Sequence, residues 1–162
     1  IRGSKVIGTD ASTAPIYKYT NTQQTDAGGE LLLPGLEFDE YVFDFTGYDI
    51  ATACDNHPTT HEAGIDTDVE FWLVGDDTNT MRVVVEDTAG QVVPGAEIEI
   101  TRPSSPFNQL EETNNCGQAF FTGGISVHND YEVEVRAPGF ITETISPVEI
   151  NGDGFLLVTL AQ

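Results

Sequence analysis

The sequence predicts an all-β chain made of two β-sandwich modules in tandem, and three observations lead there. No stretch of about eleven residues or more carries apolar positions at three-and-four spacing, so helices are not expected. Short alternating or apolar runs recur instead, punctuated by turn formers such as Leu33-Pro34-Gly35, Val93-Pro94-Gly95, Ala137-Pro138-Gly139 and Asn151-Gly152-Asp153-Gly154. One run also occurs twice, since Thr25-Asp26-Ala27-Gly28-Gly29-Glu30-Leu31 is answered by Thr113-Asn114-Asn115-Cys116-Gly117-Gln118-Ala119.

Each copy of that run leads to an alternating strand headed by tyrosine, Tyr41 to Phe45 and Tyr131 to Val135. Tyr41, Phe43 and Phe45 share one face, as do Tyr131, Val133 and Val135, and both faces are expected to be core. Gly47-Tyr48 and Gly139-Phe140 follow, then a turn-rich stretch, then a closing apolar strand over 69–74 and 155–160. The second copy has a full beginning: a strand over 81–86, a turn at Asp87-Thr88-Ala89-Gly90, and a strictly alternating strand over 96–101. In the first copy, the long stretch Gly8 to Gln24 replaces the shorter loop Pro103 to Glu112 and holds one apolar patch, Ile16 to Tyr19, as a candidate extra strand.

These landmarks place the modules at 1–75 and 81–162, joined by a short polar linker over 76–80. Ile1-Arg2-Gly3 aligns with Ile100-Thr101-Arg102, so the first module lacks its opening strand. The expectation is an open edge at Ile1, Arg2 and Gly3, filled by upstream residues or by a strand from another chain.

Charge narrows the function classes. The net charge of −21 is spread along the chain, with 13 acids against 3 bases in 1–75 and 14 against 3 in 76–162. Such a polyanion repels phosphate backbones, which argues against nucleic acid as a partner. It reads as a solvated shell that suits exposure to saline water, more so because Lys5 and Lys18 are the only lysines. No apolar run of about eighteen residues is present, so no membrane span is expected in this segment, and Ile1 to Lys5 has no apolar core of a signal peptide, so any export signal or anchor is expected upstream.

Cys54 and Cys116 occupy non-equivalent places in the repeat, which favours one bridge across the module boundary. In the chain-entropy view it closes a loop of about sixty residues and contributes roughly 4 kcal/mol. A disulfide also implies an oxidising compartment.

The stretch 90–100, the run Thr113 to Phe121 with Gly117, the strand Tyr131 to Val135, and Pro138-Gly139-Phe140 together resemble a carboxypeptidase-regulatory-like domain. The resemblance implies a transthyretin-like sandwich of seven strands, close to collagen-adhesin B-type repeats. The second module matches throughout, and the first resembles it from Thr25 onward. Gly3 to Thr9 and Leu36 to Tyr41 also resemble the first extracellular module of bacterial prepilin-type surface proteins. The resemblance implies stalk or accessory roles with no catalytic residue. The Lys–Asn isopeptide crosslink of some relatives cannot form in the second module, which has no lysine.

Other chemistry has weak signals. Cys54, His57, His61 and Glu62 have ligand-like spacing for zinc, but a disulfide consumes Cys54, and Ile65 stands where a His-Glu-x-x-His motif needs its second histidine. His128 has no Gly-x-Ser-x-Gly elbow to serve, and 27 acids guarantee accidental carboxylate pairs. Calcium is the better candidate ion, at Asp66 with Asp68, at Asn151 with Asp153, or at Asp76 with Asp77, though each also reads as an ordinary turn. No cofactor is expected beyond that. Asn-x-Ser/Thr sequons are absent, and the Thr-rich loops could carry O-linked sugar.

The expected role is therefore a non-catalytic extracellular structural protein, a pilin-like or filament subunit whose partners are copies of itself or a strand-donating neighbour. The rival is an accessory carbohydrate- or protein-binding module, for which Trp72, Tyr17 and Tyr19 are the candidate contacts.

Overall fold

The structure is a computed structural model describing residues 1–54 and 57–162. Among the described residues there is no helix, and fourteen strands follow one another. They are β1 (Arg2–Gly3), β2 (Val6–Thr9), β3 (Pro15–Tyr17), β4 (Asp39–Val42), β5 (Tyr48–Ala53), β6 (Thr59–His61) and β7 (Phe71–Gly75), then β8 (Thr80–Asp87), β9 (Glu97–Thr101), β10 (Asn108–Glu112), β11 (Gln118–Phe121), β12 (His128–Arg136), β13 (Glu143–Ile150) and β14 (Asp153–Leu160). The strands fall into two compact units, Ile1–Thr46 with Asp55–Glu70, and Gly47–Cys54 with Phe71–Gln162. β5 forms in a stretch expected to be turn-rich, and it pairs antiparallel with β7; both lie within 1–75, placed in the first module, but are grouped with the second unit.

Among the described residues the first unit has five short strands, in a three-stranded sheet of order β1-β4-β6 and a hairpin of β2 with β3. It is smaller than the sandwich that the repeat in sequence predicts. The strand expected to run to Phe45 stops at Val42, and the next amide, Phe43 N–H, donates to His57 Nε2 at 2.9 Å. Tyr41 anchors the unit, meeting Tyr19 edge-on at 5.6 Å while its hydroxyl donates to the Glu37 carbonyl at 2.9 Å. The patch at Ile16 does form part of a strand, β3.

Ile1, Arg2 and Gly3 are not an open edge. β1 pairs with β4 on one side through Arg2 opposite Val42 and Gly3 opposite Tyr41. On the other side Gly3 N–H donates to the Tyr19 carbonyl at 3.0 Å, Asn21 N–H donates to the Ile1 carbonyl at 3.0 Å, and Arg2 bridges Thr20. The segment 19–21 supplies the missing neighbour from within the chain, which sequence alignment to the second copy had no way to reveal.

The second unit contains the seven-stranded sandwich. One sheet has order β10-β9-β12-β13, and the other has order β11-β8-β14 with β14 parallel to β8. The stretch Pro103 to Glu112, expected as a loop, ends in strand β10. Alternation builds the core: Met81, Val83 and Val85 from one sheet face Ile98, Ile100, Tyr131, Val133 and Val135 from the other, with Phe121, Ile150, Val158 and Leu160 filling between. Burying each such side chain contributes about 1.5–3 kcal/mol. Tyr131 is buried with its hydroxyl satisfied, donating to the Ser126 carbonyl at 2.9 Å and accepting from Ser126 N–H at 3.0 Å.

Candidate functional site

The repeated run of the sequence is a turn, and turns of this kind occur four times among the described residues. At Asp26 the side-chain Oδ1 accepts N–H bonds from Gly28 and Glu30, while the backbone exchanges bonds with Gly29 and Glu30. Asn114 does the same with Cys116, Gly117 and Gln118, Asp87 with Ala89, Gly90 and Gln91, and Asp10 with Ser12, Thr13 and Ala14. The fourth residue of each turn has positive φ: Thr13, Gly29, Gly90 and Gly117. In both copies the duplicated run is a local solution to chain reversal.

The Asn114 turn carries the best-built feature of the second unit. Cys116 within it is bonded to Cys54 at the end of β5, across 62 residues of sequence. Both cysteines lie in the second unit, so the bridge clamps the β5–β7 pair onto the sandwich within that unit. Beside it the buried Gln118 pairs with the backbone of Ala53 as another peptide would, its Oε1 accepting from Ala53 N–H at 2.9 Å and its Nε2 donating to Ala53 O at 2.7 Å. Asn114 Nδ2 donates to Thr52 Oγ1 at 2.9 Å. Gln118 escaped sequence reasoning because its partner lies 65 residues away, and nothing local marks a glutamine as a surrogate strand.

At the other end of β5, Asp49 is 6% exposed and accepts from Asp77 N–H at 2.9 Å. Burial pushes its carboxyl upward, and the charges of Asp153, Asp76 and Asp77 push the same way. Asp77 goes the other way, held low by donation from Thr122 Oγ1 at 2.7 Å, from Gly123 N–H at 3.0 Å and from Thr78 N–H. Asp77 is thereby engaged as a cap between β7 and the sandwich. The calcium candidates do not converge. Asp66 and Asp68 are exposed in the first unit, and Asp153 accepts from Thr80 Oγ1 at 3.2 Å. Among the described residues no group of three or more His, Cys, Asp or Glu side chains is placed to hold a metal ion.

The zinc constellation is likewise dispersed: Cys54 is in the disulfide, His57 Nε2 holds the Phe43 amide, and His61 Nδ1 meets Thr67 Oγ1 at 2.9 Å. An open cleft beside His61 is lined by Phe38, Asp39, Thr60, Glu62 and Ala63 and is walled by the Asp39 network. Burial acts to raise the Asp39 carboxyl, but donation from Ser4 Oγ and from the Lys5 and Glu40 amides holds it below the usual range.

The profile of the carboxypeptidase regulatory-like domain matches residues 80–161, just over half of the chain, and covers all seven strands of the sandwich. The chain belongs to the carboxypeptidase regulatory-like domain family. No curated protein sequence matches it. Among solved structures it is similar to the Bacillus anthracis TIE protein, at 16% identity and a TM-score of 0.42 over 59% of this chain and 19% of that one. It is also similar to a point mutant of Acinetobacter radioresistens catechol 1,2 dioxygenase, at 12% identity and a TM-score of 0.39 over 52% of each chain. The chain thus spans about a fifth of the first and about half of the second.

Proposed function

We propose that this carboxypeptidase regulatory-like chain is a non-catalytic structural subunit of the cell exterior, pilin-like or fibre-forming, that assembles with copies of itself. The observation that carries the reading is the edge of β14. Its eight residues are paired to β8 on one side, and among the described residues no strand is paired to the other. A strand edge of this length accepts an added strand from a neighbour, with backbone hydrogen bonds supplying affinity. The Cys54–Cys116 bond supports an oxidising, extracytoplasmic setting, and the charge of −21 supports a surface that stays solvated there.

Negative-stain electron microscopy of the protein, with an intact mass under non-reducing conditions, tests the reading. Filaments built from this chain are expected, and a Pro substitution at Leu157, on the unpaired edge, should shorten them. A monodisperse particle under all conditions rejects assembly. Trp72, 63% exposed on β7, favours a second reading as an accessory binding module. Glycan or protein binding by a strictly monomeric chain, lost in Trp72→Ala, would establish it instead.

A further inference from the structure

Asn151 and Gly152 carry the chain from β13 in one sheet to β14 in the other. They form the one Asn-Gly pair in the sequence. Asparagine before glycine is a labile setting for a thermolabile residue, because no side chain on the following residue shields its backbone nitrogen from the carboxamide. Asn151 is exposed and lies outside any strand, and its side chain makes no hydrogen bond among the described residues. Gly152 has a φ of 89°, and a Cβ there would meet open space. Other asparagines are placed differently. Asn114 has both ends of its carboxamide engaged, Oδ1 by the amides of Cys116 and Gln118 and Nδ2 by Thr52. Asn108 lies inside β10, precedes Gln109 and donates to Glu99.

The nucleophile at this pair is held. Gly152 N–H donates to Asn79 Oδ1 at 3.1 Å, and Asn79 is buried, 8% exposed. The Gly152 carbonyl in turn accepts from Thr80 N–H at 3.3 Å. Asp153 then stands in register with Thr80 as the first pair of the β8–β14 ladder. Both peptide groups of Gly152 are thereby tied to residues 79 and 80 at the start of β8.

We propose that Asn151 is a site of spontaneous deamidation, and that the buried Asn79 is the restraint that sets its rate. Gly152 N gives up its proton to solvent base and attacks Asn151 Cγ. The N–Cγ bond forms as the Cγ–Nδ2 bond breaks, and Nδ2 takes up a proton from water and leaves as ammonia. A second water opens the cyclic imide at one carbonyl or the other, giving aspartate or isoaspartate with no change in oxidation state. While the Gly152 N–H stays on Asn79 Oδ1, its nitrogen neither loses that proton nor turns toward Cγ. Either product adds a carboxylate next to Gly152 and Asp153, and isoaspartate also lengthens the main chain by a methylene at the entry to β14. The modification thus loosens the first pairing of β14 on β8, Asp153 opposite Thr80. The inference concerns the chemistry of the turn and holds whether or not the chain assembles.

The test is incubation of the whole chain and of Asn79→Ala in warm neutral buffer, with circular dichroism to confirm folding. Peptide mapping by mass spectrometry, with separation of aspartate from isoaspartate, follows each asparagine. Conversion is expected at Asn151 ahead of every other asparagine, and roughly fivefold faster in Asn79→Ala, the worth of one neutral hydrogen bond. If Asn79→Ala fails to fold, amide exchange in the unsubstituted chain reads the same restraint, and the Gly152 N–H is expected to be protected. A Gly152 amide that exchanges as fast as in a free peptide overturns the restraint, as does a folded Asn79→Ala chain that converts at the unsubstituted rate. Conversion that starts at another asparagine, or none at Asn151 in either chain, overturns the site.

Discussion

Tyr41 is the one buried hydrophobic side chain among the described residues of the first unit, whereas the second closes on a contiguous cluster from Met81 to Leu160. Both units use the same turn, with the same hydrogen bonds around Asp26 and Asn114. What differs is the load behind it. The first unit is organised by polar contacts, among them Asp39 with Ser4 and Lys18 with Glu37 at 2.6 Å, which are exposed and contribute little net stability. The second is organised by apolar burial between two sheets. A shared local motif therefore says how the chain reverses and nothing about how much core the reversal encloses.

The largest expected effect separates the units by their cores. Ile100→Ala empties a fully buried site between the sheets and should cost about 2–5 kcal/mol in global urea unfolding. Tyr41→Ala should instead leave the global midpoint nearly unchanged while speeding amide exchange through 19–21 and 39–42. Equal global losses in the two variants would show that the units unfold as one and would break the comparison.

Replacing Cys54 and Cys116 together by serine comes next, at about 2–4 kcal/mol, all of it in the second unit because both cysteines belong there. Amide exchange at Ala53, which donates to Gln118, should rise most. Exchange gains centred on the first unit would contradict the assignment of the β5–β7 pair to the second.

Paired glycine substitutions sharpen the contrast between the two turns. Gly117→Ala combines positive φ with a Cβ placed 2.7 Å from the Val85 carbonyl and 2.9 Å from Val92 Cβ. Gly29→Ala meets open space and bears the φ cost alone, roughly 1 kcal/mol. Thermal melts should therefore show a larger loss for Gly117→Ala. A ranking in the other order would mean that the second turn yields more easily than its packing implies.

These contrasts also explain what was legible in the sequence. The second unit could be read because strict alternation over 96–101 and 131–135 encodes a face, and the face became Ile98, Ile100, Tyr131, Val133 and Val135. The duplicated run was legible as well, but its meaning was not: an Asx turn with a positive-φ fourth residue looks the same whether or not a sandwich follows. Strands β10 and β13 have weak alternation and form by pairing to neighbours already in place, so their own residues announce little. Ile1 to Gly3 looked unpaired because the partner segment, 19–21, has no strand signature. Gln118 stayed hidden since its significance depends on what lies across from it.

The smallest effect comes from two carboxylates, the half-buried Asp39 in the first unit and the buried Asp49 in the second. Asp39 gains donors from Ser4, Lys5 and Glu40 that outweigh burial, so its folded pKa lies below its unfolded value. Its contribution to stability is present above the ordinary carboxylate range and is lost as pH falls through the lowered pKa. Asp49 has one backbone donor against burial and three neighbouring acids, so its folded pKa is raised. Its contribution is full below the ordinary range and is lost as pH rises through the raised pKa. Asp39→Asn should thus loosen the first unit at neutral pH, seen as faster exchange at Glu40, and the difference should fade in acid. Asp49→Asn keeps an oxygen for the Asp77 amide and removes the charge, so it should raise the global urea midpoint at neutral pH, with the gain fading in acid. The two substitutions are isosteric and remove the same charge, so opposite signs at neutral pH can only come from their surroundings. The same sign for both would mean that the acidic field of the whole chain, and not the local donors, governs these carboxylates.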